Sequence, residues 1–167
     1  MNILEIPPIS RIRRNHGLEH ATIHILSRKS PHTPMAGHSD TGGFWLIGEL
    51  DTDLIRQCAT EALHRMKNGE HKLAVHPNCG TNFVTAGLAG GLAGAAAMLG
   101  ARKWTDQVAR LPLAVSLATL ALIMTQPFGF LLQEYVTTSG KPGGMEIVDV
   151  IPTRRGKFTA HRVITRG

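Results

Sequence analysis

Three histidines recur at four-residue intervals near the start of this 167-residue chain, and a glutamate precedes the second. The run reads His16-Gly-Leu-Glu19-His20-Ala-Thr-Ile-His24. On a helix of about 3.6 residues per turn the imidazoles share one face, with the carboxylate at its edge. Such imidazoles can hold a divalent metal, and the carboxylate can take a proton from metal-bound water. His-x-x-Glu-His is also the inverted zinc-hydrolase motif. We therefore predict that His16 and His20 bind metal and that Glu19 is a general base. His24, one turn further, would bind the metal or orient its ligands.

A second group of metal-ligating side chains begins at residue 76, where the chain reads HPNCGTNF. Imidazole and thiolate are both good zinc ligands. Pro77 and Gly80 favour a tight turn that can point His76 and Cys79 in the same direction. The alternative is a loop at the entry to a helix, in which both side chains are simply buried.

Two long uncharged stretches occupy the second half of the chain. Residues 83–101 read FVTAGLAGGLAGAAAMLGA, and residues 111–132 read LPLAVSLATLALIMTQPFGFLL. Each has about the length needed to cross a hydrocarbon core of roughly 30 Å, and each is apolar around the whole helix. Glycines of the first stretch have the small-x-x-x-small spacing of closely packed helices. Its alternative is a Gly/Ala helix buried in a soluble core. We predict a multi-pass protein of the cell membrane, with two spans in a helical hairpin.

The charge and the cysteine content indicate which partners and which cellular compartment to expect. The net charge is +6, and the basic residues are scattered without an aromatic platform, which favours a lipid bilayer over nucleic acid as partner. The terminal segments carry more Lys and Arg than the linker between the spans, so we expect both termini in the cytoplasm. Only two cysteines, Cys58 and Cys79, are present, which fits a reducing compartment.

The patterns predict a mainly α fold with a small β component, in a single domain of residues 1–167. The other expected elements are a metal-motif helix at 10–29, a loop at 30–43, a strand and amphipathic helix at 43–68, and a β-hairpin at 145–166. The histidine-bearing helix should pack with the hairpin of the two spans.

The motifs HG-x-EH and HP-x-CGT-x-F, the second at the start of a membrane span, resemble the YqhQ-like family of bacterial membrane proteins, described as predicted metal-dependent enzymes. The resemblance covers residues 11–28 and 71–135. In that family a polar stretch with a glutamate follows a later span, and Gln133-Glu134-Tyr135 has the same place here. The resemblance implies one site, made of His16, Glu19, His20, His76 and Cys79, with Glu134 as an addition. Members of that family are longer than this chain, so the resemblance concerns the fold more directly than the activity.

Two functions follow as expectations. The first is a membrane-embedded hydrolase that uses zinc or another divalent metal, preferably a metallopeptidase acting on a peptide or a membrane protein. Its third ligand would be Glu134, Cys79 or His76, with Glu134 preferred by analogy with inverted-motif peptidases. The strand-like run GFWLIGEL would offer an edge to an extended substrate.

The second expected function is non-catalytic. Here the metal only stabilises the fold, and the protein acts as a binding or assembly subunit. A closed four-coordinate site that includes both His76 and Cys79 would favour this function, because it leaves no position for water.

Overall fold

The computed structural model describes residues 2–167, which divide into two compact units. The first unit contains residues 2–76 and 133–167, and the second contains Pro77–Leu132. Together they give a mainly helical fold with a four-stranded antiparallel sheet, which confirms the predicted mixture of a helical majority and a small β component.

The first unit contains two long helices and all four strands. They are α1 (Pro7–Lys29), β1 (Ala36–Asp40), β2 (Gly43–Ile47), α2 (Thr52–Lys67), β3 (Glu146–Arg155) and β4 (Phe158–Arg166). Two short 3-10 helices, Ile3–Glu5 and His71–Ala74, and a π-helical turn, Gln133–Thr137, complete the unit.

Local sequence explains where the two long helices begin. Prolines occupy the first turn of α1, where a missing backbone N–H removes no helical hydrogen bond. Asp51 caps α2 by accepting a hydrogen bond of 2.9 Å from the backbone N–H of Leu54. Both helices therefore begin at residues whose chemistry suits a helix N-terminus.

Strand β1 differs from the prediction, because it lies inside the segment 30–43 that was expected to be a loop. Its sequence, AGHSD, has no apolar alternation, and it becomes a strand by pairing with β2, from Ala36 opposite Ile47 to Asp40 opposite Gly43. The strand order is β1-β2-β4-β3, so β2 is an interior strand. The expectation that GFWLIGEL offers a free edge is therefore wrong, and the sheet edges are β1 and β3.

The core of the first unit lies between α1, α2 and one face of the sheet. Phe44 and Leu46 of β2 are fully buried, as are Leu18 and Leu26 of α1. Burying each such side chain stabilises the fold by about 1.5–3 kcal/mol. This core fixes α1 along one side, and with it the position of the histidine face. The remaining core residues include Ile55, Cys58, Ala62 and Met66 of α2, Val150 of β3 and Val163 of β4.

The second unit is a helical hairpin of α3 (Gly80–Ala97) and α4 (Trp104–Leu132). The two helices approach closely at glycines: a Cβ placed on Gly90 would lie 3.1 Å from Cγ of Leu122, and one on Gly94 would lie 3.7 Å from Cβ of Ala118. Close contact through small residues agrees with the predicted glycine spacing. A Cβ on Gly87 or Gly91 would meet nothing within 4 Å. Only part of the glycine stripe is therefore used in this hairpin.

One continuous helix, Trp104–Thr137, is long and apolar enough to cross a membrane, with a mean hydropathy of 1.8 over its best window. None of that window is buried within the protein. It begins at Trp104, inside the expected linker, rather than at residue 111. No other helix among residues 2–167 passes the same test. The expected crossing by two spans therefore stays a prediction.

Candidate metal site and buried carboxylate

The histidine face of α1 is formed as the four-residue spacing predicts. The ring centroids of His16 and His20 lie 4.4 Å apart, and their candidate ligand nitrogens lie within 4.8 Å of each other. Two nitrogens bound to one tetrahedral zinc, at about 2.0–2.1 Å from the metal, are about 3.3 Å apart. A small rotation of the rings would therefore bring both nitrogens to one ion.

Backbone carbonyl groups orient all three helix-borne imidazoles. His16 donates from Nδ1 to the carbonyl oxygen of Thr137 at 3.0 Å, and His20 donates from Nδ1 to that of Ala74 at 2.7 Å. His24 donates from Nε2 to the carbonyl oxygen of Val75 at 2.8 Å. A carbonyl oxygen only accepts, so each bonded ring nitrogen must carry the proton. In the neutral ring the lone pair is then on Nε2 of His16 and His20 and on Nδ1 of His24.

His76 extends this row of imidazoles from outside the helix. Its ring centroid lies 5.6 Å from that of His20 and 4.6 Å from that of His24. Its backbone N–H donates to Oε1 of the fully buried Gln133 at 2.9 Å. Burial, together with the neighbouring His24 and His20, lowers the pKa of His76 from 6.5 to about 4. His76 is therefore a neutral imidazole at neutral pH, which is the form that binds metals.

Glu19 lies on the side of α1 that faces strand β1. Its side chain is 4 % exposed, and Oε2 accepts a hydrogen bond of 2.5 Å from the hydroxyl of Ser39. Burial raises the pKa of the Glu19 carboxyl above its ordinary value, while the Ser39 hydroxyl and the nearby His16 oppose that rise. A buried carboxyl with a raised pKa binds a proton more readily than an exposed one, which suits it to proton transfer.

The remaining predicted ligands are Cys79 and Glu134. Cys79 is the N-cap residue of α3 in the hairpin unit, and its side chain is buried. Glu134 is exposed in the π-helical turn. Glu134 lines a cleft, and none of His16, His20 or His76 is among the residues that line it. Within the first unit the structure thus brings together four imidazoles and does not add the carboxylate of Glu134 to them.

Three residues that support the site carry little signal in the sequence. Ser39 and Gly37 lie in the strand that was expected to be a loop, and both contact Glu19. Gln133 precedes the predicted Glu134 and is the member of that polar stretch that points inward. The carbonyl oxygens that orient the histidines are backbone atoms, which no residue type marks.

The donor set of the first unit fits a divalent metal of the zinc class. Neutral imidazoles are good zinc ligands, and metal-bound histidines commonly donate their other ring N–H to a backbone carbonyl, as all three helix-borne rings do here. His16 and His20 supply two ligands, and His76 is placed to add an imidazole beside His20. The arrangement can hold a metal on the helix that also carries the buried carboxyl group of Glu19.

Comparison with known proteins identifies relatives of the whole site region. A family model described as "Domain of unknown function (DUF6391)" matches residues 11–150, which include both histidine motifs and Glu134. An uncharacterised protein of Picosynechococcus sp. is 37% identical over 139 residues, or 77% of this chain. The matched region spans 66% of that relative's length. No solved structure matches the chain. Neither match is named for the YqhQ-like family, so that resemblance stays a prediction.

Proposed function

This chain belongs to the DUF6391 family, and we propose that it is a membrane-bound, metal-dependent hydrolase whose metal is held by the histidine row. The observation that carries the proposal is the orientation of His16, His20 and His24 by three backbone carbonyl oxygens. Such bonds fix the tautomer of each ring and leave its other nitrogen available, as they do for metal-bound histidines.

His16 and His20 are the two ligands from the helix in this proposal. The third ligand comes from the second motif, either as the imidazole of His76 or as the thiolate of Cys79. The exposed position of Glu134 gives no support to its role as a ligand. Zinc fits this set best, because imidazole and thiolate are its preferred ligands, and other divalent metals accept imidazole as well.

Glu19 holds and transfers the proton in the proposed reaction. A bound divalent metal would supply Lewis-acid activation of a water molecule, the common role of zinc in hydrolases. The raised pKa makes Glu19 a better proton acceptor than an exposed carboxylate, and the protonated group can return the proton to a leaving group. The Ser39 hydroxyl keeps the carboxylate in place during that exchange. A peptide or membrane-protein substrate is proposed from the inverted His-x-x-Glu-His spacing.

The membrane part of the proposal is supported by the hairpin unit. The helix that includes α4 has the length and hydropathy of a span, and large apolar side chains are exposed along both α3 and α4. Such a surface would be costly in water, whereas lipid covers it at no cost. We propose that both helices cross the cell membrane and that both termini are cytoplasmic.

A second candidate function is a non-catalytic subunit stabilised by the metal. The observation that favours it is the row of four imidazoles, since His24 and His76 lie as close together as His16 and His20. If four protein side chains bind one ion, the site is closed and structural.

Metal analysis of the full-length protein, purified in detergent without chelators, tests the metal site. We expect about one equivalent of metal in the wild type and little in His16→Ala or His20→Ala. His32→Ala, which removes an exposed loop histidine, is the matched control and should keep the metal. Equal metal content in all variants would overturn the proposed site.

Hydrolysis of a quenched fluorescent peptide library then separates the two functions. Glu19→Gln should keep the metal and lose turnover by about 10²-fold or more, because the proton acceptor is removed. Wild-type protein that binds metal, unfolds when the metal is removed and hydrolyses nothing would favour the structural subunit.

A further inference from the structure

A cleft of about 670 Å³ lies in the first unit, and none of His16, His20, His24 or His76 lines it. Its walls come from the N-terminal turn, from α1, from the segment around His71–Ala74 and from the segment after α4. Its lining includes both cationic and acidic side chains: Arg13, Lys72 and Lys141, and Glu5 and Glu134. A cleft of this size is typical of a small-ligand site.

Arg13 holds the walls of the cleft together. Its guanidinium donates to the carbonyl oxygens of Val136 at 2.8 Å, Tyr135 at 3.0 Å and Leu4 at 3.3 Å, and it pairs with Glu5 at 3.4 Å. Two other chain segments, the N-terminal turn and the turn after α4, are thereby fixed to α1 by one side chain that is only 11% exposed. The charge of Arg13 is already used in these contacts, so it shapes the cleft and leaves ligand binding to other residues.

Three charged side chains of the cleft have no partner of their own. Among residues 2–167, the side chains of Lys72, Lys141 and Glu134 make no hydrogen bond or ion pair, and all three are exposed. Two ammonium groups and one carboxylate around one cavity complement a ligand that carries an anionic and a cationic group together. The excess of ammonium groups favours an anion with more than one acceptor oxygen, such as a phosphate.

The position in the chain of the residues that line the cleft indicates which kind of molecule carries that phosphate. Glu134 and Tyr135 belong to the last turns of the helix Trp104–Thr137, which has the length and hydropathy of a membrane span. Tyr135 is 63% exposed, and the nearby Ile3 is 64% exposed. Exposed aromatic and aliphatic side chains at the end of an apolar helix are typical of the bilayer interface, where phospholipid headgroups lie.

We propose that this cleft binds the headgroup of an aminophospholipid, with Lys72 and Lys141 on the phosphate and Glu134 on the primary ammonium group. Phosphatidylethanolamine has both groups, and its ammonium can donate hydrogen bonds to the carboxylate. Phosphatidylcholine has the phosphate without N–H donors, and phosphatidylglycerol has the phosphate without a cation. The inference rests on the proposed membrane location and not on the proposed metal chemistry.

Competitive lipid retention tests the proposal. Full-length protein is purified in detergent with an equimolar mixture of phosphatidylethanolamine, phosphatidylglycerol and phosphatidylcholine, and the retained lipids are quantified by native mass spectrometry. We expect phosphatidylethanolamine to exceed phosphatidylcholine about fivefold. Glu134→Gln should remove that preference and keep phospholipid binding. The double variant Lys72→Ala/Lys141→Ala should reduce retention of all three lipids by about fivefold.

The double variant Lys67→Ala/Lys157→Ala removes the same charge from exposed positions outside the cleft and should behave as the wild type. Unchanged retention in Lys72→Ala/Lys141→Ala would overturn the proposal, as would displacement of the lipid by a soluble dipeptide, which would make the cleft a peptide site. Membrane fractionation of the wild type separates the proposed membrane location from the proposed headgroup site. A protein found outside membranes would contradict the membrane location. Membrane-bound protein without headgroup preference would contradict only the binding of a headgroup in the cleft.

Discussion

Strand β1 can lie against Glu19 because residue 37 has no side chain. A Cβ placed on Gly37 would lie 2.1 Å from Oε1 and 2.4 Å from Cδ of Glu19. Ser39, two residues further along the same strand, donates its hydroxyl hydrogen to Oε2. One face of β1 therefore receives the carboxylate that the histidine-bearing helix supplies.

Gly37→Ala should disturb this contact. The added methyl group must push the carboxylate away from Ser39, and overpacking of this kind costs about 1–3 kcal/mol. We expect a lower free energy of unfolding and, if Glu19 is the proton acceptor, lower hydrolytic activity. Gly144→Ala is the matched control, since a Cβ there would meet nothing within 4 Å. Equal losses in the two variants would contradict a specific role for Gly37.

Glu19→Gln should change how stability depends on pH. The pKa of Glu19 is raised in the folded state, so above its ordinary pKa of 4.5 the folded protein holds a proton that the unfolded chain releases. The free energy of unfolding of the wild type therefore falls as pH rises from about 4.5 to the folded pKa. Gln has no such titration, so the variant should gain stability relative to the wild type across that window. Unfolding of chelator-treated wild type and Glu19→Gln from pH 4 to 8 measures the difference between them. A wild type that loses stability relative to the variant as the pH is lowered would contradict the raised pKa.

His76 should make the free energy of unfolding depend on pH in the opposite direction to Glu19. Its folded pKa of about 4 lies below its ordinary value of 6.5, so between these values the unfolded chain binds the extra proton. The free energy of unfolding should therefore decrease as the pH is lowered through that window. His76→Gln should reduce this decrease in metal-free protein, and the exposed His32→Gln should leave it unchanged. Identical pH profiles for the wild type and His76→Gln would show that His76 titrates normally.

Gly17→Ala should weaken metal binding at the histidine row by displacing the backbone that packs against α1. A Cβ on Gly17 would lie 2.2 Å from the carbonyl oxygen of Ser139, a backbone atom that cannot move alone. The displaced segment also carries the Thr137 carbonyl that orients His16. We expect lower stability and about 10–100-fold weaker metal binding, measured by calorimetric titration with Zn²⁺. Ser27→Ala, exposed on the same helix, should change neither quantity.

The sequence predicted those parts of the fold that rest on local periodicity. The four-residue spacing of His16, His20 and His24 required only a helix to bring the rings together, and the apolar face of α2 and the C-terminal hairpin carried equally regular patterns. Strand β1 has no such pattern, because its conformation depends on pairing with β2 and on the close approach of Glu19.

The site was predicted less completely for a related reason. The π-helical turn changes the angular spacing of side chains after α4, and it buries Gln133 while it leaves Glu134 exposed. Nothing in the polar stretch itself marks this change. The hydrogen bonds that orient the imidazoles end on backbone atoms of Ala74, Val75 and Thr137, so their presence depends on the tertiary fold.

The first unit is discontinuous in the chain, and this has a consequence for biosynthesis. Helix α1 is synthesised early. His16 can bond to the carbonyl of Thr137 only after residue 137 has been synthesised, and Asn15 can form its bond of 2.7 Å with Thr165 only near the other end of the chain. The whole apolar hairpin, Pro77–Leu132, leaves the ribosome in between. Since a chain emerges from its N-terminus onward, the hairpin is synthesised before the histidine row can be completed. A nascent chain stalled before residue 133 would carry both histidine motifs without the carbonyl that orients the first of them.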